Sequence, residues 1–176
     1  KISSKITIIE SLLTKVDHII IGGGMVYTFT KALGGKIGNS ICEPDYCDYA
    51  LEILNKAKQI GVKIHLPIDV VAGKRFNNNT EKKIFDVMDI MDNWEAMDAG
   101  PKSVKKFHEL IMSCKTILWN GPMGVFEFSN FSKGTISLGE SIGEATAQGS
   151  FSLVGGGDSV AAVKQFGMEN KMSYIS

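Results

Sequence analysis

Two segments of the chain share one pattern, in which a short apolar run leads into three consecutive glycines and then into helix-forming residues. Asp17–Ile21 leads into Gly22–Gly24, the first glycine turn, and Phe151–Val154 leads into Gly155–Gly157, the second glycine turn. Glycine permits positive φ and lets another group approach the main chain, and the following helix presents unpaired N–H groups there. We therefore expect both turns at the carboxyl-end edge of one parallel sheet, where such sheets bind ligands.

The order of the remaining elements predicts an α/β fold. Apolar strands are predicted at 62–69, with Pro67 at the exit, and at 116–119, while 84–88 is typical of an edge strand. Helices are predicted to begin at Pro44 and to run from Pro101 through Met112. Alternating strands and helices indicate a doubly wound parallel sheet in a Rossmann-like, three-layer α/β/α arrangement. The helix after Pro44 is expected to bury an apolar stripe formed by Cys47, Ala50, Leu51, Leu54 and Ala57.

Length and charge restrict the classes of partner. With 176 residues the chain is long enough for one α/β domain. The 19 basic and 19 acidic residues balance, so no net field attracts nucleic acid or a membrane surface. We also expect a monomer. Three cysteines without a C-x-x-C pair favour reduced thiols in the cytoplasm. No apolar run approaches the roughly 20 residues that cross a bilayer.

Both ends of the sequence suggest a piece of a longer polypeptide. The chain opens on an amphipathic helix pattern, with Ile6, Ile9, Leu13 and Val16 on one face, whereas a parallel α/β unit normally begins with a strand. At the other end, residues 172–176 alternate like the start of a strand. We expect a preceding strand and further chain outside these 176 residues.

Asp158 directly follows the second glycine turn and has two interpretations. An acid at this position would repel a phosphate bound by the turn unless Mg²⁺ lay between the two, with Asp158 as a ligand. Aspartate is also a good helix N-cap. The residue alone does not decide between capping and metal binding, and one residue can have both roles.

Asn120–Glu127, the central turn, is the most specific segment of the sequence. It places a polar amide at the exit of a strand, a rigid Gly-Pro turn in the middle and an acid seven residues later. The amide of Asn120 can donate to a phosphate oxygen, and the carboxylate of Glu127 can accept from two ribose hydroxyls. Lys1 and Lys5 are one helical turn apart and can face the same anion. Alternatively, the glycines and the proline only shape a loop, and the two lysines only belong to a solvated helix face.

Other nucleotide and catalytic motifs fit poorly. The P-loop pattern is absent. The dinucleotide pattern G-x-G-x-x-G is half met at Gly22–Gly24, but Tyr27 and, in the second unit, Val160 stand where a small residue is needed. A nicotinamide-dependent dehydrogenase domain is thus a weaker alternative. There is no nucleophile elbow and no H-E-x-x-H motif.

Four motifs together carry a resemblance to a known family. Lys1–Ile6, Ile20–Met25, Trp119–Glu127 and Gly155–Ser159 resemble, in order and spacing, the C-terminal nucleotide-binding domain of phosphoglycerate kinases. The resemblance covers essentially all of residues 1–176. It implies a domain that is truncated at both ends and lacks the N-terminal substrate domain.

The resemblance implies a reversible phosphoryl transfer from 1,3-bisphosphoglycerate to ADP, giving 3-phosphoglycerate and ATP, with Mg²⁺ as the metal. The phosphoglycerate would bind through the absent N-terminal domain. Lys1 and Gly157 are the implied catalytic residues, and Asp158 is the implied Mg²⁺ ligand. The implied nucleotide-binding residues are Lys1, Lys5, Gly22, Gly23, Phe76, Met97, Asn120, Pro122, Met123, Glu127, Gly156, Gly157, Asp158 and Ser159.

Ser159 stands where the family often has threonine, a mild change because the hydroxyl is kept. Lys1 is the first residue, which puts its role in doubt. We expect the chain alone to bind nucleotide weakly and to be inactive. A non-enzymatic scaffold that retains the fold is a further alternative, although Lys5, Asn120, Glu127 and Asp158 are all present.

Overall fold

The structure is a computed structural model that describes all residues, 1–176. Helices and strands alternate along most of the chain. The six α-helices are α1 (Ile2–Leu12), α2 (Val26–Ala32), α3 (Cys47–Ile60), α4 (Pro101–Met112), α5 (Lys133–Ala147) and α6 (Gly157–Gln165). The ten strands are β1 (His18–Ile20), β2 (Lys36–Ile37), β3 (Lys63–His65), β4 (Asp69–Gly73), β5 (Lys82–Asp86), β6 (Asp89–Ile90), β7 (Glu95–Ala99), β8 (Thr116–Trp119), β9 (Phe151–Val154) and β10 (Tyr174–Ile175).

The central layer consists of parallel strands, which confirms the predicted Rossmann-like three-layer class. β1 pairs with β3, and β8, β9 and β10 form a second parallel ladder with β9 in the middle. No ladder joins β1 to β8. The segments that follow these two strands nevertheless meet, because the Gly23 N–H donates to the Met123 carbonyl oxygen at 3.3 Å.

An antiparallel sheet was not predicted. β4 pairs antiparallel with β5 on one side and with β7 on the other, and the register shifts between Val71 and Ala72. The sequence does predict the edge character of β5, whose only partner is β4. Two further residue pairs join β2 to β6 in parallel within a region that the sequence leaves unassigned.

Proline and glycine fix several element boundaries as predicted. Pro101 begins α4, and Gly61 ends α3 with φ +83°, a left-handed conformation that glycine adopts easily. Pro67 follows β3, but the predicted strand 62–69 is wrong in its length, because β3 ends at His65 and β4 begins separately at Asp69. Pro44 starts a short 3-10 helix that precedes α3.

The buried stripe of α3 differs from the predicted one. Ala50 and Ala57 are buried, as expected, but Leu51 is 41% exposed, and Ile53 takes its place in the core at 1% exposed. Positions 50, 53 and 57 are spaced by three and four residues and share one helix face, whereas position 51 is turned by about 100° from position 50.

The core divides into two main hydrophobic clusters on either side of the glycine turns. The first is built mainly from α1, α2, α3 and the antiparallel sheet, and the second from α4, α5, α6 and the strands β8 and β9. Ile21 belongs to the first cluster and Met123 to the second. None of the helices combines the length and apolar character that a membrane span requires.

Candidate functional site

The central turn contacts the first glycine turn directly. A Cβ at Gly22 would lie 2.5 Å from the Met123 Cε, so a larger residue would require the methionine side chain to move. Gly23 has φ +70°, and its N–H donates to the Met123 carbonyl. The Pro122 carbonyl oxygen lies beside the same glycine. The two segments, about 100 residues apart in sequence, therefore form one surface.

The central turn also contacts the second glycine turn, through Asn120. Gly156 has φ +89°, and a Cβ there would lie 2.9 Å from the Asn120 Oδ1. The Lys5 ammonium donates to that same Oδ1 at 3.1 Å. Since an ammonium cannot accept, this bond fixes the amide orientation and leaves the Asn120 Nδ2 as a donor facing elsewhere.

Ser159 connects the helix after the second glycine turn to the central turn. Its hydroxyl is fully buried and accepts a hydrogen bond from the Gly121 N–H. The Gly155 N–H donates to the Trp119 carbonyl at 2.9 Å. The Ser159 side chain thus holds the two turns together, and the whole residue is buried behind them.

The N-terminus of α6 is open. The N–H groups of Gly157, Asp158 and Ser159 make no hydrogen bond within the protein, and no side chain caps the helix. Gly156, Gly157 and Asp158 are exposed, and a Cβ at Gly157 would meet nothing within 4 Å. Two of these three orphan donors, those of Gly157 and Asp158, belong to exposed residues with free space in front, and such donors at a helix N-terminus can bind an anion.

At three other helices, a carboxylate of the chain itself accepts from one or two N–H groups of the first turn. The Ser3 N–H of α1 donates to Glu43, and hydrogen bonding from Ser3, first by its side chain and less by this N–H, lowers the pKa of Glu43. The Asp69 carboxylate accepts from the Lys102 and Ser103 N–H groups of α4 at 3.0 and 2.9 Å.

The third of these carboxylates is Asp98, which accepts from the Gly134 N–H of α5 at 3.0 Å and is 2% exposed. A Cβ at Gly124 would collide with Asp98, so this carboxyl lies directly behind the central turn. Burial raises the pKa of Asp98 to about 7, and two backbone hydrogen bonds partly oppose the rise. No sequence motif marks Asp98, and only the three-dimensional packing identifies it.

Asp158 is not the cap of α6. Gly156 occupies the N-cap position, Asp158 is the second residue of the helix, and its carboxylate makes no hydrogen bond. The capping interpretation is therefore wrong, because the carboxylate faces solvent and does not bond the helix N–H groups. The chain contains no group of three or more acidic, histidine or cysteine side chains that could hold a metal ion. A single carboxylate beside an anion site fits Mg²⁺, which commonly takes one or two carboxylates together with phosphates and water.

Phe76 and Glu127 lie along one rim of the site. Phe76 is 61% exposed, and its ring centroid is 4.9 Å from that of Phe128, the residue after Glu127. The Glu127 carboxylate is exposed and makes no hydrogen bond or ion pair. Met97 lies below this rim: it is 3% exposed, and its carbonyl accepts from the Val125 N–H at 2.8 Å.

Lys1 is not brought to the turns by any contact. It precedes α1 as the N-cap residue and is exposed, and its side chain makes no hydrogen bond or ion pair. Its carbonyl accepts from the Ser4 hydroxyl at 3.0 Å. Of the two predicted lysines, only Lys5 contacts the central turn.

The fold and the three converging turns define a class of protein: a doubly wound α/β domain with an uncapped helix N-terminus at the carboxyl-end edge of its parallel strands. The family model described as "Phosphoglycerate kinase" matches residues 1–176. The chain belongs to the phosphoglycerate kinase family.

Individual relatives agree with this assignment. A protein named "Phosphoglycerate kinase" from Porphyromonas gingivalis is 55% identical over 176 residues, which are 100% of this chain and 42% of the relative. "Phosphoglycerate kinase, cytosolic" from Triticum aestivum is 48% identical over the same residues, which are 44% of its length. The chain thus spans less than half the length of these relatives.

Solved structures show the same fold. The chain is similar to phosphoglycerate kinase from Coxiella burnetii, with a TM-score of 0.96 and 38% identity over 100% of this chain and 45% of that one. The phosphoglycerate kinase structure from Pyrococcus horikoshii gives a TM-score of 0.81 and 26% identity, over 100% of this chain and 44% of that one.

Proposed function

We propose that residues 1–176 form the C-terminal nucleotide-binding domain of a phosphoglycerate kinase. The complete enzyme would transfer a phosphoryl group reversibly between 1,3-bisphosphoglycerate and ADP, giving 3-phosphoglycerate and ATP. The observation that carries this proposal is the open N-terminus of α6, where the exposed Gly157 and Asp158 have unpaired N–H groups and Lys5 contacts the adjoining central turn. The phosphoglycerate would bind to a domain outside this chain.

The nucleotide phosphates are proposed to bind in front of α6. The exposed N–H groups of Gly157 and Asp158 supply donors, the buried Ser159 holds the turn behind them, and the helix dipole favours an anion at that end. Lys5 adds a positive charge, and the Asn120 Nδ2 is free to donate because its Oδ1 is occupied by Lys5. Gly156 belongs to the same anion site as the residue that turns the chain into the helix.

Asp158 is the proposed ligand of Mg²⁺. When bound, the metal would neutralise charge on the phosphates during transfer. The Asp158 carboxylate is exposed and has no protein partner, so it is free to bind the metal without breaking an internal bond. The protein would supply one ligand, and phosphate oxygens and water would supply the others.

The adenosine half is proposed to bind along the first glycine turn. Gly22 and Gly23 leave the main chain uncovered, and Pro122 and Met123 pack against them. The other residues proposed for the base and ribose are Phe76, Met97 and Glu127. In this arrangement the Glu127 carboxylate accepts from ribose hydroxyls, for which it has no competing partner in the protein.

In the complete enzyme, a β-phosphate oxygen of ADP attacks the acyl phosphate, the bond to the carboxylate oxygen breaks, and 3-phosphoglycerate leaves as a carboxylate. Little covalent chemistry falls to the protein, so positioning and charge neutralisation supply most of the rate. Gly157 contributes its N–H to the phosphoryl group, and Lys1 is proposed to contribute its charge once the other domain closes. The 176-residue chain alone is proposed to bind Mg-ADP weakly and to transfer no phosphoryl group.

Titration of the chain with Mg-ADP, followed by backbone amide NMR shifts, tests the proposal. We expect saturable shifts at Gly22–Gly24 and at Gly155–Asp158. Asp158→Ala should weaken binding more in Mg²⁺ than in EDTA, whereas Glu169→Ala, an exposed acid elsewhere, should change neither. Saturation without shifts at either glycine turn would refute the site, and equal losses with and without Mg²⁺ would refute the role of Asp158 in metal binding.

The dehydrogenase alternative predicts binding of NADH with enhanced fluorescence. Tyr27 stands at the position where the dinucleotide fingerprint needs a small residue, and its side chain is 4% exposed within the first core cluster. We expect no binding of NADH. The scaffold alternative predicts no nucleotide binding at all. Saturable Mg-ADP binding in the titration would therefore exclude the scaffold, and its absence would support it.

A further inference from the structure

Two asparagines join the loop that contains Phe76 to the segment that follows Glu127. The Asn78 Oδ1 accepts from the Asn130 N–H at 2.9 Å and lies 3.4 Å from the Ser129 hydroxyl. In return, the Asn130 Nδ2 donates to the Asn78 carbonyl oxygen at 2.8 Å. The two shorter bonds form a closed pair between segments 52 residues apart.

The loop that contains Phe76 is otherwise held mostly by its own atoms. The Thr80 hydroxyl accepts from the Lys74 and Arg75 N–H groups at 3.1 and 3.0 Å, and the Asn77 N–H donates to the Arg75 carbonyl. These bonds shape the loop but do not attach it to the rest of the site. The attachment to the Glu127 segment consists of the Asn78–Asn130 pair and the neighbouring contact between the Phe76 and Phe128 rings, which are tilted by 57°.

We propose that Asn78 and Asn130 are positioning residues, a clamp that fixes the distance between Phe76 and Glu127 and so sets the affinity for the adenosine half of the nucleotide. This inference rests on the proposed function, because it takes Phe76 and Glu127 as ligand contacts. Neither asparagine need touch the nucleotide. Without the clamp, the exposed Phe76 loop must be ordered on binding, and that ordering reduces affinity.

The direction of the hydrogen bonds gives the clamp a specific chemical signature. Asn78 uses only acceptors, its Oδ1 and its carbonyl oxygen, and its Nδ2 donates to nothing. An aspartate at this position would keep both acceptors. Asn78→Asp should therefore preserve the clamp, whereas Asn78→Ala removes the acceptor for the Asn130 N–H. Asn79→Ala is the matched control, because the neighbouring Asn79 side chain is exposed and makes no hydrogen bond.

The test compares ligands that contain different halves of the nucleotide. The 176-residue chain and the three variants are titrated with Mg-ADP, with adenosine and with Mg-pyrophosphate, and binding is followed by amide shifts. For Asn78→Ala we expect affinity for ADP and adenosine to fall about three- to tenfold, as for the loss of one or two hydrogen bonds, with pyrophosphate unchanged. Asn78→Asp and Asn79→Ala should bind like the parent chain. A general loss of structure would instead weaken all three ligands together.

A second readout needs no ligand. Nuclear Overhauser contacts between the Phe76 and Phe128 rings should be present in the free parent chain and in Asn78→Asp, and lost in Asn78→Ala. Unchanged ring contacts, or equal adenosine affinity in Asn78→Ala and Asn79→Ala, would overturn the clamp. If the parent chain binds no Mg-ADP, the proposed function fails instead, and the ring contacts still decide whether the asparagines position Phe76.

Discussion

Replacing Asp98 with asparagine should remove much of the pH dependence of folding stability. The Asp98 carboxylate is buried behind the central turn: it accepts from the Ala99 N–H at 2.9 Å and the Gly134 N–H at 3.0 Å, and the residue is 2% exposed. Burial raises the pKa of Asp98 from 3.8 to about 7. The nearby Tyr27 has its own pKa raised, first by burial and then by the charge of Asp98.

Folding stability should fall as the pH rises, because the pKa of Asp98 is raised in the folded state. Because the folded pKa of Asp98 lies above the unfolded one, the folded state binds the proton more tightly. The cost of ionising the buried carboxyl is absent below pH 3.8, grows as the pH rises and is complete above about pH 7. A rise of about three units corresponds to about 4 kcal/mol at high pH, of which about 2.5 kcal/mol develops between about pH 5 and pH 8.

Urea unfolding of the parent chain and of Asp98→Asn at about pH 5 and pH 8 measures this difference. The loss of a charged hydrogen-bond acceptor should change the variant's free energy of unfolding by the same amount at both pH values. The difference in free energy of unfolding between the two pH values should be about 2.5 kcal/mol smaller in the variant than in the parent chain. Two other groups titrate in both proteins. Glu95 has a pKa raised by burial and acts in the same direction as Asp98, and His65 has a pKa lowered mainly by burial and acts in the opposite direction. Both cancel in the comparison.

The control is Asp92→Asn, which changes an exposed carboxylate in the turn before β7 and should leave the pH dependence as it is. If Asp98→Asn and the parent chain change by the same amount between the two pH values, then Asp98 titrates at an ordinary pKa. In that case the argument from burial would be refuted.

Two further substitutions test how the turns and helix ends are held. In thermal unfolding, Gly156→Ala should lower stability by about 1–2 kcal/mol and displace Asn120. The glycine has φ +89°, and the added Cβ would crowd the amide oxygen. Gly157→Ala should leave stability unchanged in the same assay, because the space around Gly157 is free. Asp69→Ala should cost about 2–4 kcal/mol in urea unfolding, because it leaves the Ser103 N–H and hydroxyl at the start of α4 without their carboxylate partner. An unchanged midpoint for Asp69→Ala would show that water replaces the carboxylate without cost.

Elements whose signal is local and periodic could be predicted from the sequence. Pro101–Met112 and Thr116–Trp119 have the predicted bounds, because a proline, a regular apolar stripe or a compact apolar run marks them within a few residues. The antiparallel sheet was missed because β4 begins within the predicted strand 62–69 and β7 lies in a segment without a regular apolar alternation. The exposure of Leu51 was missed because a stripe read by spacing alone can rotate by one position.

In the candidate site, too, local features could be predicted from the sequence and long-range contacts could not. Both glycine turns and the central turn were identified from the sequence, since glycine and proline at a strand exit mark special backbone geometry. Their mutual contacts could not be predicted: the bond between Lys5 and Asn120 spans 115 residues. Asp98 was missed because an isolated acid in a sequence does not reveal that folding will bury it.

The distribution of carboxylates explains how a chain with equal numbers of acidic and basic residues can select one place for an anion. Every helix N-terminus attracts negative charge, so unoccupied N-termini would compete for a phosphate. Glu43, Asp69 and Asp98 occupy the N-termini of α1, α4 and α5 from within the protein. At α6 the one nearby carboxylate, Asp158, is not bonded to the helix N–H groups and faces solvent instead. The α6 N-terminus therefore differs from those of α1, α4 and α5, and the proposed anion site needs no excess of positive charge in the chain as a whole.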